Sequence, residues 1–158
     1  MNYRLGKFII ILFLFIQSCD FCSLMGTQKL GKNLYLLEGD CKEDRIIVFN
    51  DQKSGCIYGG THILPTFERH YDNNGTSYAE YVDEVQFDDQ WIIVKTDNIL
   101  EEKKHYWIID KKYESYQNNC ESIYCDSIIF KYIDGPLGLE EFSKLSQRNN
   151  VNLQFDNK

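Results

Sequence analysis

Apolar positions fall into two regimes along this chain. Residues 8–16, Phe-Ile-Ile-Ile-Leu-Phe-Leu-Phe-Ile, form an unbroken hydrophobic run of nine, about half of the ~20 residues a membrane-spanning helix needs. From residue 33 onward the apolar residues come instead in short runs rich in Ile, Val, Tyr, Phe and Trp, separated by clusters of Asn, Asp, Gly and Ser. That is the pattern of strands punctuated by turns. Strands are expected over 33–38, 45–50, 56–63, 78–87, 91–96, 105–110 and 127–133. Gly39-Asp40, residues 51–55 and Asp72-Asn73-Asn74-Gly75 carry turn chemistry, since Asp and Asn bond their own backbone and Gly accepts positive φ. Asp88-Asp89-Gln90 should close a hairpin before Trp91, and residues 97–104 form a longer polar connection.

One helix is expected. After Gly135-Pro136-Leu137-Gly138, apolar Leu139, Phe142 and Leu145 recur at three-residue spacing, with Glu140 and Glu141 early and Lys144 and Arg148 late. The charges complement the helix dipole, and the stripe suits packing against a sheet. Ala79 is the only alanine of the chain, which shifts weight further toward strands. The expected fold class is therefore α+β, mostly β: an antiparallel, meander-like sheet of about six to seven strands with one C-terminal helix packed on it. No fixed repeat period is present, which argues against solenoids and propellers.

Composition narrows the class. A chain of 158 residues suits one domain. Hydrophobics at 43% and charged residues at 26% exclude a disordered polyampholyte and a polytopic membrane protein. Seventeen basic against 24 acidic residues give a net charge of -7, so phosphates are repelled and no nucleic-acid partner is expected.

The N-terminus reads as an export signal. Residues 1–7 are basic without an acid, the apolar run follows, and Ile16-Gln17-Ser18-Cys19 comes next. These four residues resemble the bacterial lipobox, although Gln17 is larger than many residues found at its position. The resemblance implies an acyl anchor of palmitate type on the Cys19 thiol, with cleavage just before it. A cleaved secretory signal and an uncleaved anchor are the alternatives; the first lacks a small-x-small site and the second is short. The expected organisation is a signal peptide at 1–18, a lipidated tether at 19–32, a globular β-rich domain at 33–150 and a tail at 151–158. Loss of residues 1–18 removes Arg4 and Lys7 and leaves 15 basic against 24 acidic residues, a mature charge of -9. The expected place is the bacterial cell envelope, lipid-anchored through Cys19 and facing the periplasm or the surface. Asp20 resembles an inner-membrane retention mark of enteric lipoproteins, without fixing the membrane.

Five other cysteines remain: Cys22, Cys41, Cys56, Cys120 and Cys125. Cys41 with Cys56, and Cys120 with Cys125, are candidate disulfides that would each contribute about 2–3 kcal/mol by closing short loops. The odd Cys22 is left over, and a reduced state of all five is the alternative. Cys19-x-x-Cys22 looks like half a zinc motif, but an acylated Cys19 cannot ligate. A site from Cys41, Cys56, His62 and His70 lacks a compact second pair. No metal and no cofactor are expected.

Catalytic signatures are absent from the sequence. No Gly-x-Ser-x-Gly elbow, His-Glu-x-x-His or glycine-rich phosphate loop is present. Asp83 and Glu84, with Asp88 and Asp89, could supply a carboxylate pair for glycoside chemistry, and His62, His70 and His105 are the histidines available. His62 and His105 fall in strand runs, where a hydrogen-bonded sheet histidine is the simpler account. No catalytic residue is assigned. An envelope enzyme acting on glycan or lipid is the alternative function, favoured by a cleft joining Asp83 or Glu84 to His62 or His105. Gly59-Gly60, inside a strand-like run, marks a bulge or a close approach of another backbone.

Tyr106-Trp107-Ile108-Ile109-Asp110-Lys111-Lys112, followed by Gly135-Pro136-Leu137 and Glu141-Phe142, resembles a group of small bacterial lipoproteins, the domain of unknown function 3997. Trp91-Ile92-Ile93-Val94-Lys95 belongs to the same resemblance, which spans roughly residues 33–150. Residues 114–126, with Cys120 and Cys125, form an insertion relative to that pattern. The resemblance implies a fold and a location and carries no activity. Anchor, size and charge together point to a non-enzymatic, membrane-tethered module that binds a protein partner, a toxin or an envelope protein, as an immunity protein does; its acidic surface suits a basic partner.

Overall fold

The computed structural model describes residues 26–52, 57, 59–65, 69–72, 75–117 and 125–156. The expected signal, Cys19, Cys22, Cys56 and Cys120 lie outside the described residues, and of His70 and Cys125 only the backbone is described.

Period-two alternation builds the first sheet. In β2 (Leu34–Leu37) Leu34 and Leu36 are fully buried while Tyr35 and Leu37 are half-buried, as expected where one face meets a core. β1 (Thr27–Gly31), β3 (Ile46–Phe49) and β4 (Thr61–Leu64) complete an antiparallel sheet of order β1-β2-β3-β4. Among the described residues β5 (Arg69–Asp72) and β6 (Gly75–Tyr78) pair only with each other. β7 (Glu80–Phe87), β8 (Trp91–Asn98), β9 (Lys103–Asp110) and β10 (Ile133–Leu137) form a second antiparallel sheet of order β10-β9-β8-β7. Short helices α1 (Tyr113–Tyr116) and α2 (Cys125–Ile129) precede β10, and α3 (Leu139–Arg148) follows it.

The two sheets enclose one core. Leu30, Leu36, Ile47 and Leu64 of the first meet Val82, Ile92, Val94, Trp107 and Ile109 of the second. The opposite face of the second sheet buries Ile93 and Ile108 against Phe142 of α3 and against Val151, Leu153 and Phe155. Two-sided burial explains why Ile92-Ile93-Val94 and Trp107-Ile108-Ile109 are continuous apolar runs rather than alternating ones.

Several expectations are corrected. The chain is mostly β with a C-terminal helix, but the single sheet of six to seven strands is two sheets of four strands and a separate pair. The first sheet ends where β4 meets buried Pro65, which has no amide to extend the ladder. Residues 127–133 are not a strand: α2 and a 3-10 turn over Phe130–Tyr132 come first, and β10 begins at Ile133. A strand there would place Lys131 on the same face as fully buried Ile129, whereas the helical turn leaves Lys131 exposed. Packed structure also includes residues of the expected tether and tail. β1 occupies part of the expected tether and buries Leu30, and the expected tail places Val151, Leu153 and Phe155 against the sheet. Gly60 does mark a close backbone approach, since a Cβ there would overlap the Phe49 carbonyl. Among the described residues no helix is long and apolar enough to cross a membrane.

Candidate functional site: a charged cleft at the edge of the second sheet

β7 is the edge strand of its sheet, and its register with β8 shifts between Val82 and Glu84. A bulge of this kind leaves one residue out of the ladder and re-aims its side chain. Asp83 is that residue. The Arg45 carbonyl accepts from the Val82 amide at 2.9 Å, and Arg45 Nη1 donates to the Asp83 carbonyl at 2.7 Å. The bulge is thereby fixed from the first sheet.

Three lysines converge on the Asp83 carboxylate. Lys42 Nζ pairs with Oδ1, while Lys95 and Lys104 each lie 3.3 Å from Oδ2. Lys95 also reaches Glu84 Oε2 at 2.5 Å, Lys104 reaches Asp97 Oδ2 at 3.0 Å, and Arg45 Nε pairs with Glu38 Oε2 at 2.8 Å. The Asp156 amide donates to Glu84 Oε1 at 2.6 Å. These groups line a cleft of about 720 Å³ between the loop at 38–45 and the bulged edge.

The electrostatics follow from the pairing. Burial alone would raise the Asp83 pKa, but Lys42, Lys95 and Lys104 together outweigh it and hold the carboxyl down at about 2. At Glu84 burial is likewise outweighed, here by Lys95 and the Asp156 amide, and its pKa is lowered. Lys95 is raised because Glu84 and Asp83 outweigh its desolvation, and Lys104 is raised chiefly by Asp97. Such carboxylates stay ionised at neutral pH and are poorly matched to moving a proton there. At the lip, the Cys41 thiol donates to Asp44 Oδ2 at 3.1 Å, and that carboxylate is the main cause of a raised thiol pKa. A thiol kept protonated is a weak nucleophile and metal ligand. The arrangement thus presents paired charges of both signs along the cleft.

Of the residues singled out in the sequence, Asp83, Glu84 and Cys41 come together here. Among the described residues, no histidine lines this cleft. His105 is a hydrogen-bonded sheet histidine, its Nδ1 3.0 Å from Glu80 Oε1. His62 sits in β4, where burial lowers its pKa. Asp88 caps the β7–β8 turn by accepting from the Gln90 and Trp91 amides at 2.7 and 2.8 Å, and Asp89 is exposed beside it. Cys41 is a free, exposed thiol; its expected partner Cys56, and the Cys120–Cys125 pairing, lie outside what is described. Among the described residues no group of three or more His, Cys, Asp or Glu side chains is placed to hold a metal ion.

Sequence reasoning passed over the cations Lys42, Arg45 and Lys95 and placed Lys104 in the polar connection at 97–104. A signal was present: Lys95 and Asp97 alternate with buried Val94 and Thr96 in β8, which puts them together on the other face. Comparison of this chain with family models, curated proteins and solved structures finds no match.

Proposed function

We propose that this protein is a non-enzymatic lipoprotein of the bacterial cell envelope, held at a membrane by acyl chains on Cys19, that binds a protein partner through the cleft around Asp83. An immunity protein that neutralises an exported toxin is the concrete form of this reading. The resemblance to the domain of unknown function 3997 belongs to the same proposal and concerns fold and location alone. The observation that carries a binding role over a catalytic one is the cage of Lys42, Lys95 and Lys104 around Asp83. It commits the carboxylate to ion pairing and leaves both signs of charge at the rim. A partner presenting a basic side chain toward Glu38 and Asp40 and an acidic one toward Lys42 and Lys104 would be steered in and held in register.

The test has two arms. Mass spectrometry of the membrane fraction should find the acylated chain, and Cys19→Ala should lose the acyl mass and move to the soluble fraction; an unchanged distribution with no acyl mass removes the anchor. Purification from membranes should retain a stoichiometric protein partner that Lys104→Glu releases. Retention of no partner, with no toxin gene beside the protein's own, removes the immunity reading.

A further inference from the structure

The hairpin tip between β8 and β9 presents two adjacent aliphatic side chains to solvent, Ile99 at 50% exposure and Leu100 at 57%. Scattered exposed aliphatics are ordinary, but two in succession at a turn of otherwise polar residues are not what turn chemistry selects. The tip is held in shape. Asn98 Oδ1 accepts from the Leu100 amide at 3.1 Å and the Glu101 amide at 3.0 Å, and the Ile99 amide donates to the Ala79 carbonyl at 2.9 Å. Of its flanking charges, Lys103 pairs with Glu101 at 3.2 Å and Lys104 with Asp97, while Glu102 is exposed beside them.

The tip lies at the end of the sandwich from which the chain runs toward Cys19. The Gly26 carbonyl accepts from the Glu38 amide at 2.7 Å, Glu38 pairs with Arg45, and the Arg45 carbonyl accepts from Val82, whose partner in β8 is Thr96. Gly26 is thus tied to the same end of the sandwich as Thr96, and Leu100 lies four residues beyond Thr96 toward the tip. Six residues separate Cys19 from Gly26, and the seven steps between them reach at most about 25 Å. The opposite end is marked by Lys32, whose amide donates to Glu114 at 2.8 Å and whose carbonyl accepts from Tyr113 at 3.2 Å.

We infer that Ile99 and Leu100 enter the lipid interface, so that the anchored domain touches the membrane with its β8–β9 tip. The occupant of this apolar tip is a lipid surface, chosen because the tether is short and leaves the domain on the same side. Buried aliphatic area at the headgroup boundary favours the contact, and it would fix the domain's tilt. This inference rests on the acyl anchor proposed above.

The test uses the full chain, acylated in cells and reconstituted into vesicles of phosphatidylethanolamine and phosphatidylglycerol with brominated or unbrominated acyl chains. Leu100→Trp adds an indole at the tip, Tyr116→Trp adds one at the far end, and the unsubstituted chain supplies the Trp91 and Trp107 background. The added emission of Leu100→Trp should fall at least about twofold in brominated vesicles, while Tyr116→Trp and the parent chain change little. Equal emission from Leu100→Trp in both vesicles, on acylated and vesicle-bound protein, overturns the tip contact alone. Equal quenching of Tyr116→Trp overturns it as well. Absence of acyl mass overturns the anchor, and the tip contact with it.

Discussion

Trp107 Nε1 donates to the Thr96 hydroxyl at 3.0 Å, with both side chains buried between the sheets. The same hydroxyl donates to Glu80 Oε1, which also faces His105 Nδ1. One oxygen therefore serves a buried indole and a buried carboxylate at once. Thr96→Val keeps the shape and removes that oxygen, leaving the indole N–H unpaired and the Glu80 carboxylate with His105 alone. A loss of about 1–3 kcal/mol is expected, read as a lower urea midpoint with an unchanged slope.

Asp83 sets the acid limb of stability. Its folded pKa of about 2 lies below the ordinary 3.8, so its contribution is fully present above 3.8 and is lost as the pH falls through about 2. With solvent screening allowed for, the contribution is on the order of 1 kcal/mol. Asp83→Asn should be less stable than the parent at neutral pH. The gap should narrow below pH 3.8 and close near 2, as followed by urea melts across that range; a gap that does not depend on pH would contradict the lysine cage.

Gly135 has a φ of +147°, and a Cβ there would overlap the Trp107 ring. Gly135→Ala meets two obstacles, a backbone conformation that L residues rarely adopt and an occupied space. A cost of about 1–3 kcal/mol is expected from the overpacking. Near-UV circular dichroism should show the Trp107 environment altered together with a lower Tm.

The C-terminal stretch contributes to the fold. The Phe155 ring lies 5.6 Å from that of Phe142 and 5.9 Å from that of Tyr106, centroid to centroid. Phe142→Ala, at a buried position, should cost about 3–5 kcal/mol. Phe155→Ala should cost less because that ring is only half-buried, and its removal should also release the Asp156 amide from Glu84. Hydrogen exchange at Asp156 would report the release.

Strands with a marked pattern were legible: β2, β3, β7, β8 and β9 all fall on expected runs, and α3 on its stripe. What the pattern could not supply was partnership. Alternation in Leu34–Leu37 and the continuous run at Ile92–Val94 fit one sheet or two equally well, because burial on a second face comes from elements distant in sequence. The run Ser127–Ile128–Ile129–Phe130 is β-prone by composition, yet packing of Ile129 decides for a helix. In the cleft, Asp83 and Glu84 stood out as carboxylates, but the lysines that neutralise them arrive from a loop and two other strands. Ile99 and Leu100 went unmarked because they sit in a stretch of mainly polar residues.

The register break at Val82–Glu84 has a consequence beyond the cleft. As the outermost strand of its sheet, β7 would otherwise offer a run of unused amides and carbonyls to another molecule. A bulge and two ionised carboxylates interrupt that template. Copies at high local concentration are therefore protected against strand-by-strand aggregation along this border.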